Sequence, residues 1–74
     1  MKTVPFPKRI GKALRARRDA LEISQEDFAE LVNMHRTYYS EIERGLKKIR
    51  IDTLERLCLA LKSSPWKILK DADE

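Results

Sequence analysis

Apolar residues recur along this chain at intervals of three and four, with charged residues between them, and five segments share that helical spacing. In the first, Ile10, Ala13, Leu14 and Leu21 are interleaved with Lys8, Arg9, Lys12 and Arg15, which predicts an amphipathic helix ending near Leu21 with a basic polar face. Pro5 and Pro7 bracket Phe6 and resist helix until Pro7 can take a first-turn position, so residues 1–6 are expected to form a loose arm. Ser24 followed by Gln25-Glu26-Asp27 is an N-cap with acids in the first turn. It opens a short second helix that buries Phe28, Ala29 and Val32 and stops at Asn33, a residue tolerant of left-handed backbone.

A third helix is predicted to start near His35 or Arg36, to bury Tyr39 and Ile42, and to end at Gly45. A basic loop with Lys47, Lys48 and Arg50 follows. Asp52 or Thr53 is the expected cap of a fourth helix, whose Leu54, Leu57, Cys58 and Leu61 fall on one face with Ile51 just before them. Ser64-Pro65, a cap with proline at the first helical position, opens a last short helix carrying Trp66, Ile68 and Leu69, and the acidic tail 71–74 is expected to fray. No strand alternation, repeat or Gly-rich phosphate loop interrupts this pattern. The predicted fold class is all-α: one compact five-helix domain over residues 1–74.

At 74 residues the core is thin, and self-association is a common source of the missing stability. The formal charge of +4 is modest, but its distribution is uneven: +5 over residues 1–22, −3 over 23–35, +3 over 36–50 and −1 over the rest. One cysteine and one histidine exclude an intrachain disulfide and supply too few soft ligands for zinc, so no metal or cofactor is expected. No apolar run approaches the roughly 18–20 residues of a membrane span, and the N-terminus lacks a signal-peptide core. No membrane partner is expected, and a cytoplasmic, nucleoid-associated location is. Paired inward carboxylates, a nucleophile with its base and a metal cluster are all missing, so no catalytic residue, enzymatic activity or small-molecule ligand is expected.

Two short helices joined by Asn33-Met34-His35, with the small Ala29 inside the first and apolar Tyr39 and Ile42 inside the second, describe a helix-turn-helix. Packing that unit leaves Arg36, Thr37, Ser40 and Glu41 outside on one face of the third helix. An α-helix fits the major groove of B-DNA, where Arg can donate two hydrogen bonds to guanine and Thr can meet thymine, so double-stranded DNA is the expected partner and Arg36 the first candidate reader. Helical spacing turns Tyr39 inward and leaves Tyr38 outside, which disfavours stacking on single strands. His35 reads as a turn or cap residue and Cys58 as core. Lys8, Arg9, Lys12, Arg15 and Arg17 fit a solubilising face and an attraction for the DNA backbone equally well.

The runs Ser24-Gln25-Glu26-Asp27-Phe28-Ala29, His35-Arg36-Thr37-Tyr38 and Ile42-Glu43-Arg44-Gly45 resemble the phage repressor/Cro-type (Xre) helix-turn-helix family over roughly residues 8–70. Within it, residues 35–45 are most similar to the controller proteins of restriction-modification systems. The resemblance implies that Arg36, Thr37 and Glu41 face base edges and that Lys47, in the loop after the third helix, approaches them. It implies that Gln25 bonds a phosphate or base edge, and that Tyr38, Arg44 and Lys48 lie against the DNA backbone, where Ser40 is also assigned. It further implies an ion pair between Arg18 and Glu43. Three positions depart from the family pattern: Glu22 stands where many members have glycine, Tyr39 where isoleucine or valine is commoner, and Ile49-Arg50 where Asn-Pro is usual.

Because a two-fold DNA site needs a two-fold protein, a homodimer through the fourth and fifth helices is expected, with Leu61, Trp66, Ile68 and Leu69 at the interface. The implied function is a sequence-specific transcriptional regulator that works by occupancy, blocking or recruiting RNA polymerase. The rival from another class is a protein-interaction or antitoxin-type module on the same fold, with weak DNA binding.

Overall fold

A computed structural model describes residues 3–73. Among them are five helices and no strand: α1 (Phe6–Ala20), α2 (Gln25–Leu31), α3 (Arg36–Glu43), α4 (Ile51–Ala60) and α5 (Pro65–Asp73). The all-α expectation holds. Leu14, Phe28, Tyr39, Ile42, Leu57, Cys58 and Ile68 are fully buried, so every helix contributes at least one side chain to a single core. Phe28 and Tyr39 pack their rings 5.0 Å apart in a tilted arrangement, which fixes α3 against α2.

Four of the five helices end in the same way. The N–H of the second residue beyond the C-cap reaches back to a carbonyl five residues earlier: Ile23 to Arg18, Met34 to Ala29, Leu46 to Glu41 and Ser63 to Cys58, at 2.8–3.4 Å. This closure places the intervening residue in left-handed backbone, and Glu22, Asn33, Gly45 and Lys62 all have φ between 56° and 76°. Asn33 and Gly45 are residue types suited to it. Glu22 adopts the conformation of the glycine it replaces and bears the steric cost of its Cβ.

Glycines also set two close approaches. A Cβ on Gly11 would overlap the backbone carbonyl oxygens of Ile42 and Glu43, so α1 lies directly on the last turn of α3. A Cβ on Gly45 would lie 2.5 Å from the Cα of Lys8.

Several sequence expectations need correction. Residues 71–73 continue α5, because Arg17 Nε donates to Asp71 Oδ2 at 2.8 Å, Arg9 Nη1 donates to the Ala72 carbonyl at 3.0 Å, and Ala72 is buried. The expected arm is shorter than 1–6: α1 already includes Phe6, the Pro5 carbonyl accepts from Lys8 and Arg9, and Arg9 Nε holds the Val4 carbonyl at 3.1 Å. Residues 1, 2 and 74 lie outside the described residues. Helix α4 begins at Ile51 with extended Arg50 before it, so neither Asp52 nor Thr53 is its cap, and Ile51 stays 87% exposed. Leu21 falls at the C-cap of α1, half outside the face it was expected to join. Ser64 precedes α5, but its hydroxyl is buried without a hydrogen bond and closes no side-chain cap.

Candidate nucleic-acid interface

Helix α2 starts where Ser24 Oγ accepts a hydrogen bond from the Asp27 amide at 3.0 Å, and Glu26 and Asp27 follow in the first turn. Ala29, 1% exposed, leaves room for α3 to cross. Tyr39 and Ile42 anchor α3 from below, so its opposite face is left in solvent: Arg36, Thr37, Tyr38 and Arg44 are exposed, Ser40 and Glu41 half-buried at the edge.

Behind this face lies a buried polar knot. Arg18 Nε and Nη2 donate to the two carboxylate oxygens of Glu43 at 2.6 and 3.1 Å, and Arg18 Nη1 donates to the Ile23 carbonyl at 2.6 Å. Arg18 and Glu43 are each 6% exposed. The fork-to-carboxylate geometry satisfies both groups, as burial of two charges requires. Burial alone would push the Glu43 carboxyl up, but the hydrogen bond from Arg18, the nearby Tyr39 hydroxyl, the hydrogen bond from Gln25 and the Arg18 charge together hold it below its ordinary range. Arg18 is raised, chiefly by its hydrogen bond to Glu43. Burial, with Glu43 beside it, raises the Tyr39 phenol. The Tyr39 hydroxyl faces this pair without closing a hydrogen bond of good geometry. The knot spans α1, the start of α2 and the end of α3, so it fixes how the reading helix leaves the body of the protein.

The expected site residues fall into groups. Gln25, Arg36, Ser40 and Arg44 line one open cleft between α1, α2 and α3. Gln25 is more constrained than expected: its Nε2 donates to Glu43 Oε1 at 2.8 Å, which leaves its amide oxygen, an acceptor, as the atom without a recorded partner. That donor is therefore committed inside the protein and not offered to a phosphate. Glu41 and Lys47, both expected at base edges, pair with each other at 3.8 Å. Lys47 and Lys48 are exposed on the loop that Gly45 turns out of α3.

The four expected interface residues separate. Trp66 is 62% and Leu69 38% exposed, three residues apart on the outer face of α5. Leu61 and Ile68, at 4% and 0%, are inside the protomer's own core, because the α5 face that carries Ile68 packs against α1. They are corrected from interface to core residues.

Sequence reasoning missed Gly11. A glycine inside an otherwise helical pattern signals a close approach, and that signal was present. The role of Glu22 left no such mark.

A basic, outward-facing second helix braced on a packed first helix is the arrangement of a major-groove reader, and the comparisons with known proteins agree. The chain belongs to the helix-turn-helix family, whose signature matches residues 14–65. It is 31% identical over 67 residues to the control protein C.MunI of a Mycoplasma species, covering 89% of this chain and 90% of that protein. Its structure is similar to the clp gene regulator ClgR of Corynebacterium glutamicum, with a TM-score of 0.92 and 30% identity over 95% of this chain and 90% of that one. It is also similar to the restriction-modification controller protein C.Esp1396I, solved as a tetramer with its natural 35-base-pair operator. There the TM-score is 0.82 and the identity 27%, over 96% of this chain and 99% of that one.

Proposed function

We propose that this chain is a sequence-specific, double-stranded-DNA-binding transcriptional regulator of the restriction-modification controller type, which acts as a homodimer on a pseudo-palindromic operator. The observation that carries the reading is the split personality of α3: Tyr39, Ile42 and Glu43 are locked into the body, while Arg36, Thr37, Ser40 and Arg44 point away from it. Helix α3 of each protomer enters the major groove, the two half-sites lying about one helical turn apart. Arg36 donates in pairs to guanine, Thr37 meets a neighbouring base, and Glu41 and Lys47 exchange their weak mutual contact for base edges. Tyr38, Ser40, Arg44 and Lys48 hold the phosphates on either side, and Gln25 supports them from α2.

Trp66 and Leu69 are the anchors of the dimer, their exposed apolar area being what a thin core leaves over for a partner copy. C.Esp1396I assembles on its operator as a tetramer, which supports a multimeric DNA complex here as well. Selection of bound duplexes from a random pool, with the mass of the protein measured in solution, tests the reading. A palindromic motif and a dimer are expected. A monomer that enriches no motif would overturn it and favour an interaction module on the same fold.

A further inference from the structure

The cleft between α1, α2 and α3 is lined by four arginines, Arg15, Arg18, Arg36 and Arg44, against one carboxylate, Glu26. Arg18 is neutralised by Glu43, but the other three are exposed, and neither Arg36 nor Arg44 has an ion pair recorded. Arg36 lies in the first turn of α3, where the helix dipole disfavours a cation. Arg15 faces it from the far wall and touches only Asp19, at 3.7 Å, a pair whose two side chains are 68% and 58% exposed. Such a contact contributes little and exchanges readily with an incoming anion. Guanidinium groups gathered from two separate helices around one open cleft repel one another unless an anion sits between them.

From this, resting on the DNA-binding reading above, we infer that Arg15 is a further DNA-binding residue, which grips a backbone phosphodiester from the α1 side while Arg44 and Ser40 grip it from α3. The footprint thus extends from the helix-turn-helix onto α1. The neighbouring residues of that helix divide accordingly. Arg9 and Arg17 are tied to α5 through the Ala72 carbonyl and Asp71, and take no part in DNA binding, whereas Arg15 points into the cleft.

The test compares Arg15→Gln with Arg56→Gln, which removes the same charge from an exposed position on α4. Binding to a cognate and to a random duplex is followed by fluorescence anisotropy over a salt series, with folding checked by circular dichroism. Arg15→Gln should lose about five- to tenfold in affinity for both duplexes at low salt. It should also flatten the log–log salt slope by about 0.9, the value of one phosphate contact. Arg15→Lys should restore the slope, and Arg56→Gln should match the parent. If Arg15→Gln binds like Arg56→Gln while the parent protein binds its cognate duplex tightly, the assignment of Arg15 fails alone. If the parent protein itself shows no preference for any duplex, the DNA-binding reading fails and Arg15 with it.

Discussion

Replacing Arg18 with methionine keeps a long unbranched side chain but removes the guanidinium from a site where Glu43 has only 2% of its side chain in solvent. Glu43 would then retain one donor, Gln25, and the Ile23 carbonyl would lose the Arg18 hydrogen bond. Breaking a buried pair by removing one partner costs about 3–5 kcal/mol, and the Ile23 carbonyl accounts for about 1 kcal/mol of that. Against a total stability of about 4–11 kcal/mol for a domain of this length, the single change should unfold a large fraction of the protein near 37 °C. The double variant Arg18→Met/Glu43→Leu removes both charges and should recover most of the loss, with a coupling energy of about 2–3 kcal/mol in urea melts.

The pH dependence sharpens the test. Because folding lowers the Glu43 pKa from its usual 4.5, the carboxylate stabilises the parent fold above that pH and ceases to do so as pH falls through the lower folded value. In Arg18→Met the main stabilising donor is gone and burial dominates, so Glu43 is raised and acid relieves it. The stability gap between parent and variant should therefore narrow between pH 7 and pH 4. A cost below about 1 kcal/mol at pH 7, or a gap indifferent to pH, would show that the knot does not hold α3 in place.

The other expectations concern reading, grip and backbone. Arg36→Ala should lose about 1–3 kcal/mol of preference for cognate over random duplex with unchanged circular dichroism; intact discrimination in a competition assay would remove Arg36 as a reader. Lys48→Ala should weaken cognate and random duplexes alike and flatten the salt slope by about 0.9, as one lost phosphate contact does. Gly11→Ala must push α1 off the Ile42 and Glu43 carbonyls, and should cost about 1–3 kcal/mol in denaturant melts. Glu22→Gly relieves a side chain held at φ 59° and should raise stability by about 0.5 kcal/mol, since the αL strain of about 1–2 kcal/mol exceeds the entropy that glycine adds to the unfolded chain.

Where the sequence spoke clearly, a residue's own chemistry named its place. Ser24 caps α2, Asn33 and Gly45 take left-handed backbone, and the Phe28, Ala29, Tyr39 and Ile42 spacing sets the α2–α3 crossing. Where it was silent, the place was set by a partner far along the chain. Glu22 and Lys62 are left-handed because the closing hydrogen bonds to Asp19 and Arg18, and to Leu59 and Cys58, demand it, and nothing in either side chain announces this. The 71–74 segment reads as a solvated acidic tail, since the groups that order it, Arg9 and Arg17, lie more than fifty residues earlier. The commitment of Gln25 to Glu43 is of the same kind. Ile68 and Leu69 are adjacent and both apolar, so composition could not say which would face α1 and which would face outward; the register of α5, set by Asp71 and Ala72 on α1, decides it.

That register has a mechanical consequence. Helix α1 is the element through which the proposed dimer face and the proposed reading face meet. On one side it holds α5 by Arg17 to Asp71 and Arg9 to the Ala72 carbonyl; on the other it holds α3 by Arg18 to Glu43 and by the contact at Gly11. Packed helices shift in discrete steps and resist continuous deformation, so a dimer docked through Trp66 and Leu69 would fix the distance between its two α3 helices through this one braced element. The surface pairs on the α5 side are partly solvated, with Arg17 and Asp71 side chains 34% and 37% exposed, while the Arg18–Glu43 pair on the α3 side is buried. Rising salt therefore weakens the α1–α5 brace long before it touches the α1–α3 one. Half-site spacing should consequently be the property most sensitive to ionic strength, and the pose of each reading helix the least.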